Sequence, residues 1–160
     1  MDIVYIETSI ISHATARPSA DPNIASLQDQ ARRWMAEQRP LYEVVTSLLV
    51  VNEAKLGDPE AAMRRQAMLA DIPLVQNNEQ VDPVADELIS RSLIPSTARL
   101  DALHVATAAL AGVQYLLTLN CRHIANAHVL PRVYRLLEEL SLPRIVICTP
   151  LEFLGGSSDD

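Results

Sequence analysis

Two polar segments follow apolar runs that have the composition of β-strands. Glu7 comes directly after the β-branched residues 3–6 and is itself followed by two hydroxyl residues. Asn120 follows the apolar residues 115–119 in the same way. Burying a carboxylate is costly unless it gains a partner or a cation. Because ligand sites form at the carboxyl ends of parallel strands, both segments are predicted to face one crevice.

Two further acids are associated with apolar segments, and the segment that contains Asp101 is predicted to be helical. Asp101 and His104 are three residues apart, which places them on one face of a helix. The surrounding residues 102–111 are nearly all apolar, and a helix that is apolar on every side is buried. Glu53 comes after residues 47–51, which have a composition typical of a buried segment. A buried acid requires a specific partner, so Asp101 carries the strongest individual signal of a functional group.

Each of these segments also has a purely structural interpretation. The hydroxyls after Glu7, or Asn120 itself, could cap the helix or turn that follows. Glu53, taken alone, is more typical of an acid on a solvated helix face. Asp101 and His104 could simply form a hydrogen bond with each other at the start of their helix. The pattern of each segment by itself leaves these alternatives open.

The candidates together share one chemistry. Three carboxylates and an amide oxygen form the hard, oxygen-rich donor set that Mg²⁺ or Mn²⁺ prefers. Such a cation would relieve the repulsion between the carboxylates and could activate a water against a phosphodiester. Zinc is disfavoured because His123 and His128 are five residues apart and do not align on a helix face. The predicted catalytic and metal-binding residues are Glu7, Glu53, Asp101 and Asn120, with Thr8, Ser9, His104, Thr118, Arg122 and His123 around them.

The elements that must position these residues alternate between strands and helices. The apolar runs are continuous rather than alternating, which is typical of parallel strands covered on both faces. This order predicts an α/β fold, a three-layer sandwich around a central parallel sheet of about five strands. Strands are predicted at residues 3–6, 44–46, 74–75, 115–119 and 144–148, and helices at 23–37, 59–70, 84–92, 97–111 and 130–140.

Length and composition are those of one compact domain. The chain has 160 residues, 49% of them apolar, and we expect a single domain over residues 1–154 with a flexible polar tail at 155–160. No apolar run approaches the roughly 18 to 20 residues of a membrane span. The opening residues lack the basic region of a signal peptide. Cys121 and Cys148 are therefore expected to be reduced thiols in a cytoplasmic protein.

The net charge of −7 restricts the partners. Proteins that bind nucleic acid through their whole surface are usually basic, so an architectural DNA-binding role is disfavoured. A nuclease is less affected, because metal ions supply positive charge locally. Arg99, Arg122 and His123 lie near the predicted site and could contact phosphate. A nucleotide hydrolase or phosphatase is disfavoured because no glycine-rich phosphate loop is present.

Three motifs, in order, resemble those of PIN-domain proteins, the family that includes VapC-like toxins. The sequence VYIETSIIS at residues 4–12 resembles the opening strand and acidic turn of the family. DALHVA at 101–106 resembles its central helix start, and LLTLNCRHI at 116–124 resembles its last strand end. Glu53 falls where the family places its second acid. The Glu-Thr-Ser opening and the Thr-x-Asn-Cys-Arg-His ending resemble one subgroup, and the match extends over about residues 2–150.

The resemblance implies a Rossmann-like sandwich with a Mg²⁺- or Mn²⁺-dependent endoribonuclease site. It further implies RNA as substrate, an antitoxin protein as partner, the toxin role in a toxin–antitoxin pair, and a homodimer. Glu7 and Asn120 depart from the family, whose first and last acids are usually Asp. The site would then carry a formal charge of −3 instead of −4, so weaker metal binding is expected. The alternative is a catalytically weak or inactive PIN-like module that binds RNA or a protein partner.

Overall fold

A computed structural model describes residues 1–154 of the chain. It contains one sheet of four parallel strands in the order β2-β1-β3-β4. In this sheet Val4 lies opposite Val44 on one side and Tyr115 on the other. Parallel neighbours require long crossover connections, and each connection here contains helices. The strands are β1 (Ile3–Ile6), β2 (Glu43–Val45), β3 (Tyr115–Leu117) and β4 (Val146–Cys148).

Helices flank the sheet and connect its strands. None of the helices between residues 1 and 154 has the length and apolar character needed to span a bilayer. The helices are α1 (Thr8–Thr15), α2 (Pro22–Arg33), α3 (Leu48–Ala54), α4 (Pro59–Leu69), α5 (Val81–Ser90), α6 (Arg99–Ala111), α7 (Leu130–Glu139) and α8 (Pro150–Leu154). A π-helical turn at Trp34–Gln38 and two 3₁₀ turns, at Arg39–Leu41 and Ser96–Ala98, complete the connections.

Successive residues of a strand point to opposite faces of the sheet, and each face is covered here. Tyr5 in β1 points toward α6, where its hydroxyl contacts His104. Tyr115 in β3 points the other way, and its ring contacts Phe153 of α8 at 5.1 Å between centroids. The predicted α/β fold with a parallel sheet covered on both faces is confirmed. The outer edge of β4 is also covered, because the Tyr134 hydroxyl accepts from the Ile147 backbone N–H.

Helix α6 is buried on almost all sides, as its composition predicts. Val105, Ala106 and Ala108, in its middle, are each 1% exposed or less. The small alanine side chains let neighbouring elements approach its backbone closely. The helix ends at Gly112, which adopts the left-handed conformation with φ of 70° and donates its N–H to Ala109. This is the usual glycine stop of a helix, and it directs the chain into β3.

The prediction of five strands is wrong by one. Residues 74–75 form only an isolated bridge between Leu74 and Thr46. Only two apolar residues separate Pro73 from the polar sequence that begins at Gln76, which is too short a run for a strand. The polar tail predicted at residues 155–160 lies outside the described residues.

Candidate functional site

Glu7 lies at the end of β1 and caps α1. Its carboxylate accepts hydrogen bonds from the Ser9 N–H at 3.1 Å, the Ser9 hydroxyl at 2.5 Å and the Thr118 hydroxyl at 2.5 Å. The residue is 4% exposed. Its buried oxygens are therefore satisfied by three protein donors. The side chain joins the carboxyl end of β1 to the residue that follows β3.

The two hydroxyl groups that hold Glu7 are themselves held by the backbone after β3. The Ser9 hydroxyl accepts from the Leu119 N–H at 2.8 Å, and the Thr118 hydroxyl accepts from the Asn120 N–H at 3.0 Å. Each hydroxyl thus donates to the carboxylate and accepts from the main chain. The two polar segments predicted to share one crevice lie beside each other in the structure.

Glu53 lies on α3 and contacts a different set of side chains. Its Oε1 atom accepts from the Thr8 hydroxyl at 2.7 Å and pairs with His104 Nε2 at 2.5 Å. The other imidazole nitrogen of His104 lies 3.0 Å from the Tyr5 hydroxyl, which is 2.6 Å from the Ser47 hydroxyl. When Tyr5 donates to Nδ1, the Nε2–H is free to donate to Glu53. A continuous chain of hydrogen bonds therefore connects the core to this carboxylate.

These contacts change the acidity of the groups involved. Burial would raise the pKa of Glu53, but the hydrogen bond and charge of His104, together with the Thr8 hydrogen bond, lower that pKa below its ordinary value of 4.5. Glu53 is therefore ionised at neutral pH. Burial raises the pKa of Tyr5 well above its usual range. The Tyr5 hydroxyl keeps its proton and can serve as the donor to His104.

Asp101 lies in the first turn of α6 and differs from the other acids. It is partly buried, and its carboxylate makes no hydrogen bond or ion pair with any residue in the range 1–154. The local Asp101–His104 hydrogen bond considered from the sequence is not formed, because both nitrogens of His104 bond elsewhere. Since residues three apart share a helix face, Asp101 lies on the side of α6 that presents His104 to Glu53.

Asn120 acts as the cap of the turn after β3. Its side-chain oxygen accepts from the His123 N–H at 3.0 Å, and its backbone carbonyl accepts from Ile124 and Ala125. This arrangement matches the capping alternative that the sequence left open. It leaves the second lone pair of the amide oxygen without a protein donor in the part of the chain that the structure describes.

The basic residues near the site have different surroundings. Arg99 is held by ion pairs to Asp86 at 2.6 Å and to Asp82 at 3.2 Å, so it is not free to contact phosphate as expected. Arg122 is exposed and forms no ion pair within residues 1–154. His123 follows it and is partly buried.

The four predicted ligands differ in how far they are open to a cation. Both oxygens of Glu7 accept protein hydrogen bonds, whereas Glu53 Oε2 and the whole Asp101 carboxylate accept none among residues 1–154. Within that range, no three His, Cys, Asp or Glu side chains are gathered as a metal site. Magnesium, however, is often bound through one or two carboxylates and several waters. The free oxygens of Glu53 and Asp101 have the donor chemistry that suits such a cation, and ligation by all four predicted residues stays a prediction.

Two residues of the hydrogen-bond network were not predicted as part of the site. Tyr5 is the one polar side chain inside the apolar run of β1, and Ser47 precedes α3 in an apolar stretch. A hydroxyl within a buried strand requires a partner, and this was the available signal. The partner itself, His104, is 99 residues away in sequence, and only the fold brings it to Tyr5.

No protein-family model matches the chain, and no curated protein sequence does. The fold is similar to a chain of VapBC2 from Rickettsia felis bound to a DNA fragment from their promoter, with a TM-score of 0.56 and 15% identity over 92% of this chain and 98% of that one. It is also similar to VapBC-1 from nontypeable Haemophilus influenzae, with a TM-score of 0.53 and 14% identity over 93% of this chain and 98% of that one.

At sequence identities of 14% and 15%, the similarity to these two structures is one of fold. Both alignments cover nearly the whole of each chain, so the shared architecture is complete and not limited to a common motif. The fold of this chain is similar to that of chains in these two VapBC structures, and it agrees with the PIN-like fold that the three ordered sequence motifs predict.

Proposed function

We propose that this protein is a PIN-type endoribonuclease that uses Mg²⁺ or Mn²⁺ to hydrolyse RNA phosphodiesters. The observation that carries the proposal is the Asp101 carboxylate. It is partly buried, it lies on the side of α6 that carries His104, the partner of Glu53, and it has no protein partner among residues 1–154. An unpaired charge in a partly buried position is unfavourable unless a cation joins it. The ordered PIN motifs and the PIN fold support the same function.

The residues of the site would have different roles in this reaction. Glu53 and Asp101 would hold the cation, with Glu7 and Asn120 as the further ligands that the sequence predicts. The cation, when bound, supplies charge stabilisation at the phosphate and lowers the pKa of a bound water. Thr8 and His104 fix the direction of the Glu53 carboxylate through its Oε1 atom. Ser9 and Thr118 hold Glu7 against the end of β3, and Arg122 and His123 lie on the turn where they can contact RNA phosphates.

The biological setting belongs to the same proposal. The likeness to two VapBC structures supports a role as the toxin of a toxin–antitoxin pair, with an antitoxin protein as partner. The net charge of −7 would favour a partner segment that is basic. We expect a homodimer in the cytoplasm. Free Cys121 and Cys148 agree with a reducing compartment.

One observation favours a second function, a weakly active or inactive PIN-like module that binds RNA or a protein partner. Glu7 already accepts three protein hydrogen bonds, and the side-chain oxygen of Asn120 already caps a turn. If these bonds persist when metal is added, only two carboxylates remain as ligands. Affinity for the cation would then be low and cleavage slow.

Metal binding and RNA cleavage measured in parallel distinguish the two functions. Calorimetry with Mn²⁺ and cleavage of a fluorogenic RNA would be run on the parent protein, on Asp101→Asn and on the matched control Asp29→Asn, which changes an exposed acid of α2. The ribonuclease requires Mn²⁺ binding and cleavage in the parent and the control, and a roughly hundredfold loss of both in Asp101→Asn. Undiminished cleavage by Asp101→Asn would exclude the assignment. Absence of both binding and cleavage in the parent would favour the module.

A further inference from the structure

A cavity of about 430 Å³ lies apart from the candidate site, and none of Glu7, Glu53, Asp101 and Asn120 lines it. Three aromatic rings form much of its wall, those of Tyr42, Tyr115 and Phe153. The rings contact one another edge to face, with centroid separations of 6.0, 5.4 and 5.1 Å. The volume falls in the range of small-molecule sites. Tyr115 lies on the face of the sheet opposite Tyr5 and its partner His104, so the cavity is formed on the face that α8 covers.

Gln38 contributes a hydrogen-bonding amide to the wall of this cavity. The residue ends the π-helical turn, lines the cavity and is only 8% exposed. Its side-chain amide forms no hydrogen bond with any residue between 1 and 154. Trp34 Nε1 is the one fully buried side-chain polar atom without a partner among residues 1–154, so the unpartnered amide of Gln38 is accessible to a guest in the cavity. The amide offers one acceptor and two donors in a single plane, so a ligand with an adjacent donor and acceptor would satisfy it.

The charges around the cavity limit what can occupy it. Among residues 1–154, no Lys, Arg or His side chain lines it, and the nearby guanidinium of Arg39 is paired with Asp71. The Glu152 carboxylate lines it and accepts from the Thr149 N–H and hydroxyl, both at 3.2 Å. The Cys148 thiol is neutral, because burial raises its pKa to about 12. The cavity therefore favours an uncharged aromatic guest over one whose phosphate would enter it.

We propose that this cavity binds a nucleobase, presented either as a free nucleoside or as an unpaired base of RNA. The base would stack against the tyrosine and phenylalanine rings and form a pair of hydrogen bonds with the Gln38 amide. Glutamine makes such paired bonds to bases, and aromatic side chains are the usual platforms for unpaired bases. The sugar and any phosphate would remain outside, where the cavity opens to solvent. This binding does not depend on the proposed ribonuclease activity.

The test is an NMR titration of the full chain that follows the ring signals of Phe153, the one phenylalanine in the sequence. The probes are adenosine, cytidine, uridine, adenosine 5′-monophosphate, a short single-stranded RNA and p-cresol as a ring without a base edge. We expect saturable shifts with at least one nucleoside. Gln38→Leu should weaken that binding by about tenfold, since the paired hydrogen bonds are lost. The control Gln80→Leu, which replaces an exposed glutamine, should leave it unchanged.

A second variant keeps the test valid if Gln38→Leu does not fold. Val146 lines the cavity and is 49% exposed at the edge strand, so Val146→Phe would fill the space without disturbing the core. It should abolish the shifts. Equal affinities for adenosine and adenosine 5′-monophosphate would indicate that the phosphate stays outside the cavity. Binding of RNA without binding of any nucleoside would indicate that the cavity accepts bases of the polymer. Absence of any saturable shift, unchanged affinity in both variants, or tighter binding of p-cresol than of every nucleoside would overturn the proposal.

Discussion

At the scale of single residues, the acids of the site have opposite surroundings. Glu7 is 4% exposed and fully engaged by Ser9 and Thr118, whereas Asp101 is partly buried and has no partner between residues 1 and 154. A residue whose hydrogen bonds are complete contributes mainly to stability. A residue whose charge is unpaired contributes mainly to the binding of a ligand such as a cation. The two acids should therefore respond differently to the same isosteric change.

Glu7→Gln should lower the free energy of unfolding by about 1–3 kcal/mol. The amide has one acceptor oxygen where the carboxylate has two, so its NH₂ group would face either the Ser9 backbone N–H or the two hydroxyl donors. Urea unfolding in EDTA measures the change without a metal contribution.

Asp101→Asn is the matched comparison for that experiment. It removes no hydrogen bond found within residues 1–154, so its unfolding free energy in EDTA should lie within about 0.5 kcal/mol of the parent value. A larger destabilisation by Asp101→Asn than by Glu7→Gln would contradict the division into a structural and an open acid.

The loss of folding stability at low pH should depend in part on Glu53. Its pKa in the folded protein is lower than its ordinary value of 4.5, because the contacts to His104 and Thr8 outweigh the effect of burial. A depressed folded pKa adds stability that is present above pH 4.5 and is lost as the pH falls through the folded pKa. Glu53→Gln in EDTA should flatten the decline in unfolding free energy below pH 4.5. The exposed Glu79→Gln should leave the decline intact, and an unchanged slope in both would refute the expectation.

The sequence predicted some of these residue roles and missed others for physical reasons. Glu7, Ser9 and Thr118 could be brought together from the sequence because neighbouring parallel strands end at one edge. The contact of Tyr5 with His104 could not, since it depends on how α6 packs on β1. Whether Asn120 caps a turn or binds metal was ambiguous, because an amide oxygen serves both purposes.

At the scale of elements, α6 positions both Asp101 and His104, and Gly112 determines where it ends. Gly112→Ala should lower the free energy of unfolding by about 1–2 kcal/mol, the penalty for a left-handed L-residue. An added Cβ would meet nothing within 4 Å, so the whole effect would come from the backbone conformation, at φ of 70°. Chemical denaturation measures it.

Gly112→Asn provides the control, because asparagine tolerates the left-handed region better than alanine. It should retain more stability than Gly112→Ala. Equal losses in the two variants would point to a cause other than backbone conformation.

The elements that could be predicted are those with long or strongly apolar patterns. Strands β1, β3 and β4 lie within predicted runs, and α4 and α7 begin at their predicted residues. The predicted helix at 23–37 is an α-helix only to Arg33, and a π-helical turn follows before Pro40, which has no N–H to continue the ladder. Helices α1, α3 and α8 have 8, 7 and 5 residues, which is too short for a helical period to stand out.

At the scale of the whole molecule, an acidic surface leaves few cations for RNA. The chain has 13 Lys and Arg against 20 Asp and Glu. Several arginines are already paired with acids, namely Arg17 with Glu60, Arg33 with Glu37, Arg39 with Asp71, Arg91 with Glu139 and Arg99 with Asp86. These exposed pairs add little to stability, but they reduce the number of guanidinium groups available to phosphate. RNA affinity should therefore depend only weakly on salt.

Arg122 is expected to account for part of that remaining salt dependence. It is exposed on the turn after β3 and unpaired within residues 1–154, next to the site that would hold the phosphate. Each phosphate neutralised on single-stranded RNA contributes roughly 0.7 to the slope of log K against log salt. Arg122→Ala should reduce the slope by about that amount in fluorescence anisotropy with a labelled RNA. Arg144→Ala, which removes another exposed and unpaired arginine before β4, should leave it unchanged. Equal slopes for the parent and Arg122→Ala would remove Arg122 from the RNA interface, whereas equal reductions in both variants would indicate attraction by net charge alone.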